Sequence, residues 1–421
     1  MNIQASPPNQ PNIIQSWVVV LTAALFFFYI FINMNLFNAI SGKLVAELHF
    51  DAKQLGFLAA FYFYGNVLFL FAAGCLLDRF SVKRLLFTAF IVTIISTYIF
   101  STTSSFWVMS MTRLAIGLAG AFALLPAIKL TSRWFTPDRM ALVIGIVVTM
   151  GMIGGVVSQT PLALLTQYFG WRHAMQIVTA LGILLSIAQL IVLRDEPKGA
   201  ENNEIAEHLQ LKQLGFWHSL GIVIKNRQNW LSGIYISLVN LPLFVLAAWG
   251  TPFLTKAHHF TYIQTTLITS MLFIGMMFGS PLAGAISDKM KLRKLPMLIG
   301  AVSGVIAILI IMFSPAAPLW VVACQFLLLG IIMGVQVIGY PVIAESNPHT
   351  VTATASSLGS VLIMAGGTLI PIYSWLLSLA NSTAYSLTDF TRANCLMLTG
   401  LIIALIAACL IKETHCKNYK T

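Results

Sequence analysis

The chain has 421 residues, of which 58% are hydrophobic and only 9% charged, with a formal net charge of +11. A soluble globule carries about a quarter charged residues, so the composition excludes water as the main solvent and requires lipid. The basic excess is scattered over many short segments, which argues against nucleic-acid binding, and five cysteines without ligand spacing argue against a disulfide framework or a metal site.

In chain order, the first 16 residues are polar and Pro-rich, with no basic stretch ahead of the first apolar run, so no cleaved leader is expected. Apolar runs of about 20 residues, the length that crosses the hydrocarbon core as a helix, then follow. The first six lie at 17–40, 54–77, 85–103, 106–130, 140–162 and 173–193. The second six lie at 229–249, 264–287, 295–314, 319–343, 353–377 and 393–411. The sequence therefore predicts an all-α integral membrane fold of twelve transmembrane helices in two six-helix bundles. Residues 1–193 form the first, 194–228 a linker and 229–421 the second. The linker opens on Asp195, Glu196, Glu201, Glu204 and Glu207, and its apolar end, 214–224, predicts an interfacial helix.

Lys and Arg fix the orientation, because short loops rich in them stay cytoplasmic. Of the 24 in the chain, 18 fall in 78–84, 129–139, 194–227, 289–294 and 412–420, all on one side of the predicted topology. Both termini are expected on that side, in a multi-pass protein of the cell inner membrane.

The two halves repeat each other. Gly74-Cys-Leu-Leu-Asp78-Arg79-Phe-Ser-Val-Lys83-Arg84 follows the second run, and Gly284-Ala-Ile-Ser-Asp288-Lys289-Met-Lys291-Leu-Arg293-Lys294 follows the eighth, 210 residues later. The same offset relates Pro161 to Pro371, each shortly after a Gly-Gly pair. A doubled hydrophobic chain with a charged elbow after the second span of each half implies a secondary transporter that rocks one half against the other. The carboxylate at each elbow can accept from the positive N-terminus of another helix, and Gly74 and Gly284 let backbones approach.

The elbow resembles the loop signature of the major facilitator superfamily, Gly-x-Leu-x-Asp-Arg-x-Gly-Arg-Arg/Lys, at Gly74, Leu76, Asp78, Arg79, Lys83 and Arg84, with Ser81 in place of the second glycine. Arg113-Leu-Ala-Ile-Gly117 and Gly170-Trp-Arg172 are similar to further elements of that family. The aromatic patterning of Phe26-Phe27-Phe28-Tyr29-Ile30-Phe31, of Tyr62 and Tyr64, and of Arg133-Trp134-Phe135 resembles a bacterial importer branch that includes phagosomal nutrient transporters. The family's drug-exporter signature, Gly-Pro-x-x-Gly-Gly, is absent from the fifth run, which reads Gly151-Met-Ile-Gly154-Gly155. The resemblance implies that Gly74, Asp78, Arg79, Arg84, Gly284 and Asp288 form a conformational latch. It further implies that the first, fourth, seventh and tenth helices line the path, which favours Asn33, Arg113, Asn240, Gln336 and Tyr340 as substrate-binding residues.

Arg113 is the one charge this reading places well inside a span. It suits either a substrate carboxylate or the carbonyls and amides of the first helix, near Asn33 and Asn35. All 13 acidic residues fall in loops or at helix ends, so no midplane carboxylate offers itself as a proton carrier. Glu345, at the end of the tenth run, is the candidate for proton coupling; the alternatives are a proton carried on the substrate, or uniport. No catalytic constellation converges within the spans and no cofactor is implied. The expected partners are the bilayer, a small-molecule substrate and a proton. The expected cargo is a small polar, carboxylate-bearing organic nutrient, taken inward. The rivals are a siderophore or other polycarboxylate moved in either direction, and a membrane sensor on a transporter fold that does not transport.

Overall fold

The computed structural model describes residues 13–50, 52–158, 160–196, 216–313, 317–367, 369, 372–373, 376–377 and 387–417. Gln159, Pro371 and the linker acids Glu201, Glu204 and Glu207 lie outside the described residues.

Apolar side chains on every face of a helix leave lipid or another helix as its only neighbours, and among the described residues the regular structure is helical. The first half contains α1 (Ile13–Asn35), α2 (Phe37–Leu48), α3 (Ala52–Arg79), α4 (Val82–Thr102), α5 (Phe106–Gly120), α6 (Leu125–Trp134), α7 (Met140–Ser158), α8 (Thr160–Phe169) and α9 (Trp171–Val192). The second contains α10 (Phe216–Lys225), α11 (Arg227–His258), α12 (Tyr262–Met290), α13 (Lys294–Phe313), α14 (Leu319–Met333), α15 (Gly339–Glu345), α16 (Thr352–Gly367) and α17 (Leu387–Leu410). Eleven stretches of the described residues are long and apolar enough to cross a membrane. The remaining predicted run, 353–377, begins as α16 and is described only in part beyond it.

The helices depart from the predicted runs where the backbone chemistry changes. The first run stops at Asn35, and a separate α2 continues to Leu48. The fourth is split between α5 and α6, where the amides of Phe122 and Ala123 bond back only three residues, to Ala119 and Gly120. Pro126 follows at once and has no N–H for the carbonyl four residues before it. The tenth run is split in the same way: a 3-10 turn, Gly334–Ile338, separates α14 from α15, and Pro341 follows. The seventh run is longer than predicted, because α11 carries on to a left-handed cap at His259.

Ends are capped by short polar side chains. Ser81, which stands where the family signature has glycine, accepts from the Arg84 amide at 3.3 Å and starts α4. Thr261 and Gln264 form a reciprocal capping box at the start of α12. Gly170, at φ +80°, turns the chain from α8 into α9, a conformation that costs glycine nothing. The turn buries Trp171, whose indole donates to Glu47 at 2.8 Å, while Arg172 bonds the same carboxylate at 2.7 Å and Ser104 at 3.0 Å. The outer extension α2 is thereby tied to the start of α9. The helix expected at the interface, α10, is fastened by Asn229 and Trp230, which donate to the carbonyls of Val223 and Ile224 at 2.9 and 2.8 Å.

Two apolar cores result, one per half, with a limited exchange between them. Ile128, Met140, Ile144, Val148 and Met152 of the first half pack in the core of the second. Ala353 of the second packs in the core of the first. The halves therefore meet along two seams, α7 against α12 and α3 against α16, and the candidate site is built on these.

Candidate functional site

At the elbow end of each seam a carboxylate of one half caps a helix of the other. Asp78, at the end of α3, accepts from the amides of Ala353 at 3.1 Å and Thr354 at 2.7 Å, and from the Thr354 hydroxyl at 2.6 Å. These are the first residues of α16, whose amides have no intrahelical partner. Asp288, at the end of α12, accepts from the amides of Ala141 at 3.4 Å and Leu142 at 2.8 Å, in the first turn of α7. Each cap combines hydrogen bonds with the positive end of a helix dipole. Glycine makes the approach feasible: a Cβ at Gly74 would lie 2.6 Å from Ser357 Cβ, and one at Gly284 would lie 2.6 Å from the Leu142 nitrogen.

The counter-cations differ between the seams. Asp78 is bound by Lys129 of α6 at 3.1 Å, and the same ammonium donates to the Leu77 carbonyl at 2.8 Å. Sequence reasoning counted Lys129, at the end of the fourth run, among the elbow-side basic residues that orient the chain; it is buried, 2% exposed. At the second seam Arg293, fully buried just ahead of α13, donates to Asp288 at 2.5 Å, to Glu345 at 2.7 Å and across the halves to the Pro137 carbonyl at 2.7 Å. Burial alone would depress its guanidinium, but the Glu345 and Asp288 carboxylates more than offset that and hold it above the usual arginine value. Glu345 also accepts from the Thr414 hydroxyl. Arg79 and Arg84 do not share this position: Arg84 is exposed and Arg79 half-buried.

A second pair of acids, which the sequence reading did not single out for this role, supports the elbows from below. Asp195, just after α9, accepts from the Lys83 amide at 2.8 Å, and its neighbour Glu196 pairs with Arg133 at 3.5 Å. Glu413, just after α17, accepts from the amides of Arg293 and Lys294 at 2.7 and 2.8 Å. Desolvation raises the Glu413 carboxyl, but these amides and those of His415 and Thr414 outweigh it, so it sits below its ordinary value of 4.5. The repeat itself was the available signal: Arg194-Asp195-Glu196 and Lys412-Glu413-Thr414 end the sixth and twelfth runs alike.

The five substrate-binding candidates divide into two groups. Asn33 and Arg113 turn inward within the first half. The Asn33 side chain donates to Tyr29 O at 3.0 Å and accepts from Thr97 at 2.8 Å. Arg113 donates to the carbonyls of Asn33 at 2.6 Å, Leu58 at 3.4 Å and Met34 at 3.5 Å, lies 5.2 Å from the Tyr62 ring centre and is 1% exposed. This is the strut arrangement, with α5 braced on the C-terminal end of α1 and the first turns of α3. The other three converge in the second half: Asn240 of α11 donates to Gln336 at 2.7 Å, and the Tyr340 hydroxyl lies 3.3 Å from Ser360 of α16. The tenth-span break brings Gln336 to face Asn240.

A Major Facilitator Superfamily profile matches residues 21–371. The chain belongs to the Major Facilitator Superfamily. It is 22% identical over 301 residues to the probable hexose phosphate transport protein of Chlamydia pneumoniae, covering 65% of this chain and 65% of that relative's length. It is 20% identical over 364 residues to the probable galactarate/D-glucarate transporter GudP of Escherichia coli K12, covering 78% of this chain and 80% of that protein. The crystal structure of the E. coli fucose:proton symporter FucP superposes with a TM-score of 0.74 at 14% identity, over 95% of this chain and 99% of that one. The fold is the twelve-helix architecture of that superfamily, in two pseudo-symmetric bundles of six.

Three outcomes follow from this geometry. Arg113→Lys, which keeps the charge but loses the fork, should lower stability by about 1–3 kcal/mol and reduce activity toward every substrate alike, as thermal unfolding and uptake assays would record. Asp78→Asn leaves Lys129 buried without a counter-charge, a cost of about 3–5 kcal/mol; adding Lys129→Met should recover part of the lost melting temperature. Because the Glu413 pKa is depressed, its stabilisation is fully present above pH 4.5 and is lost as pH falls through the folded value. The melting-temperature gap between wild type and Glu413→Gln should therefore be open at pH 7 and close below pH 4.5.

Proposed function

We propose that this chain is a secondary active transporter that carries a small polar, carboxylate-bearing organic nutrient into the cell across the inner membrane by alternating access. The observation that carries the proposal is the reciprocal capping: Asp78 holds the start of α16 while Asp288 holds the start of α7. Each cap runs from the elbow of one half to a helix start of the other and so joins the halves end to end. A joint of this kind is the form a gate takes when the halves must part as rigid bodies. With the basic elbows facing the cytoplasm, the captured conformation is closed toward the cell interior. On this reading Gly74, Asp78, Lys129, Gly284, Asp288 and Arg293 are the gate, and 1–193 and 229–421 are the rocking units joined by 194–228.

The polar groups of the second half, Asn240, Gln336, Tyr340 and Ser360, are uncharged donors and acceptors of the kind that recognises hydroxyls. The hexose phosphate and galactarate/glucarate names among the relatives support a polyhydroxylated acid. Arg113 acts through the first helix and positions α1 for the substrate. Proton coupling is assigned to Glu345, which Arg293 would release when the elbow opens; the symport named for FucP is consistent with a driving proton.

Counterflow in proteoliposomes tests the reading without presuming a driving ion. Vesicles loaded with a hexuronate or an aldarate should accumulate the labelled compound, while sugar phosphates, amino acids, dipeptides and iron-free siderophores serve as competitors. Exchange confined to siderophores or other polycarboxylates would replace the cargo assignment, and no exchange with any of the panel by well-folded protein would overturn transport itself. In the same vesicles an imposed pH gradient should drive uptake in wild type and not in Glu345→Gln.

A further inference from the structure

Pro281 lies inside α12, where it supplies no N–H to the carbonyl of Met277 four residues before it. In the middle of a membrane-spanning helix no water is at hand to replace that bond, so the carbonyl needs another donor. The donor comes from the opposite half: the Thr149 hydroxyl of α7 donates to the Met277 carbonyl at 2.6 Å. Its alternative acceptor, the Gly145 carbonyl of its own helix, is farther at 3.2 Å, and one hydroxyl proton serves one strong bond. Ser280, next to the kink and fully buried, has a hydroxyl without a hydrogen-bond partner among the described residues, so the local side chain does not do this work.

Sequence has shaped α7 to reach the kink. One turn before Thr149 stands Gly145, where a Cβ would lie 2.5 Å from the Ser280 oxygen and 2.8 Å from Pro281 Cα. The bare backbone of Gly145 lies on the proline bend, and the residue four positions on points its hydroxyl at the orphaned oxygen. Thr149 is eight residues from Ala141, the capped start of α7, roughly 12 Å along the helix. The bond therefore belongs to the same seam as the Asp288 cap, but at mid-membrane depth. The equivalent seam, α3 against α16, has Phe71 where α12 has Pro281 and Val361 where α7 has Thr149, counted at the repeat offsets of 210 and of 212, the latter relating Ala141 to Ala353.

We propose that Thr149 is a positioning residue of the transport cycle: by filling the acceptor that Pro281 leaves open, it holds the two halves in the elbow-closed conformation. Rocking that opens the elbow draws α7 from α12. A separation of about 1 Å breaks a hydrogen bond of this length, whereas an apolar seam tolerates sliding. Thr149 thus weights the conformational equilibrium from inside the membrane, independently of the charges below it.

The test measures elbow opening without substrate, so its failure would leave the transport reading standing. In protein whose native cysteines are replaced, Ser357→Cys reports the parting of α3 from α16 through its rate of alkylation by a water-soluble maleimide in detergent. Adding Thr149→Val should raise that rate roughly three- to tenfold, the Boltzmann weight of one neutral hydrogen bond, and Thr149→Ser should restore it. Pro281→Ala gives the Met277 carbonyl a partner in its own helix, so in that background Thr149→Val should change the rate by less than twofold. An unchanged rate in folded Thr149→Val, or an equal increase with and without Pro281, would overturn the proposal. If Thr149→Val does not fold, Thr149→Ala against Thr149→Ser gives the same comparison.

Discussion

The constraint on which this structure depends is that a helix start buried between two bundles has amide groups with nowhere to go. In the middle of either half, apolar surface gains little from contact, because lipid is as good a neighbour as another helix. Unpaired backbone N–H groups are different, since each costs several kcal/mol away from water. At the elbow ends of α7 and α16 these groups are met by carboxylates from the other half. The joint between the halves is therefore polar and directional, although the chain that makes it is 58% hydrophobic.

Around that joint the two halves solve one problem with different chemistry. The first anchors Asp78 with a single ammonium brought by α6; the second anchors Asp288 with a guanidinium that also binds Glu345 and the Pro137 carbonyl of the other half. Lysine offers a point charge, whereas arginine offers a planar fork that can hold several acceptors at once. The second seam is consequently the more highly connected of the two, and its network includes the chain end through Glu413 and Thr414. The pseudo-symmetry is one of positions more than of residues.

Much of the architecture was legible because its signals are long-range and repeated. The apolar runs gave the spans, and the 210-residue offset between Asp78 and Asp288 exposed both the doubling and the elbows. Breaks inside spans were less legible, since Pro126 and Pro341 lie beyond the residues whose backbone they disturb. The burial of Lys129 was not legible, because a lone cation near the end of an apolar run looks the same whether it is solvated or buried on a partner. Arg293 was hidden among three neighbouring cations, and only folding selects which of Lys289, Lys291, Arg293 and Lys294 turns inward. Asn33 was assigned by helix identity, which does not say which face a residue occupies; for Arg113 the sequence left two roles open, and the hydrogen bond to the Asn33 carbonyl is the first-helix one.

If the joint is the gate proposed above, its buried ions explain how it can be both specific and easily opened. Taking a carboxylate and its counter-ion out of water costs several kcal/mol per ion, and the contacts made in return offset much of that without greatly exceeding it. Opening such a gate would reverse both terms together: the caps on α7 and α16 would be lost, while Asp78, Lys129, Asp288, Arg293 and Glu345 would regain hydration. The difference between closed and open is then small even though each contact is strong. An apolar seam of the same area would return nothing on exposure to water and would lock the halves shut. The uncompensated part of that balance would fall on groups that water reaches poorly, and the mid-membrane carbonyl of Met277 is such a group, which is why one neutral hydroxyl from Thr149 would, on that proposal, weigh against the buried charges Asp78, Lys129, Asp288, Arg293 and Glu345.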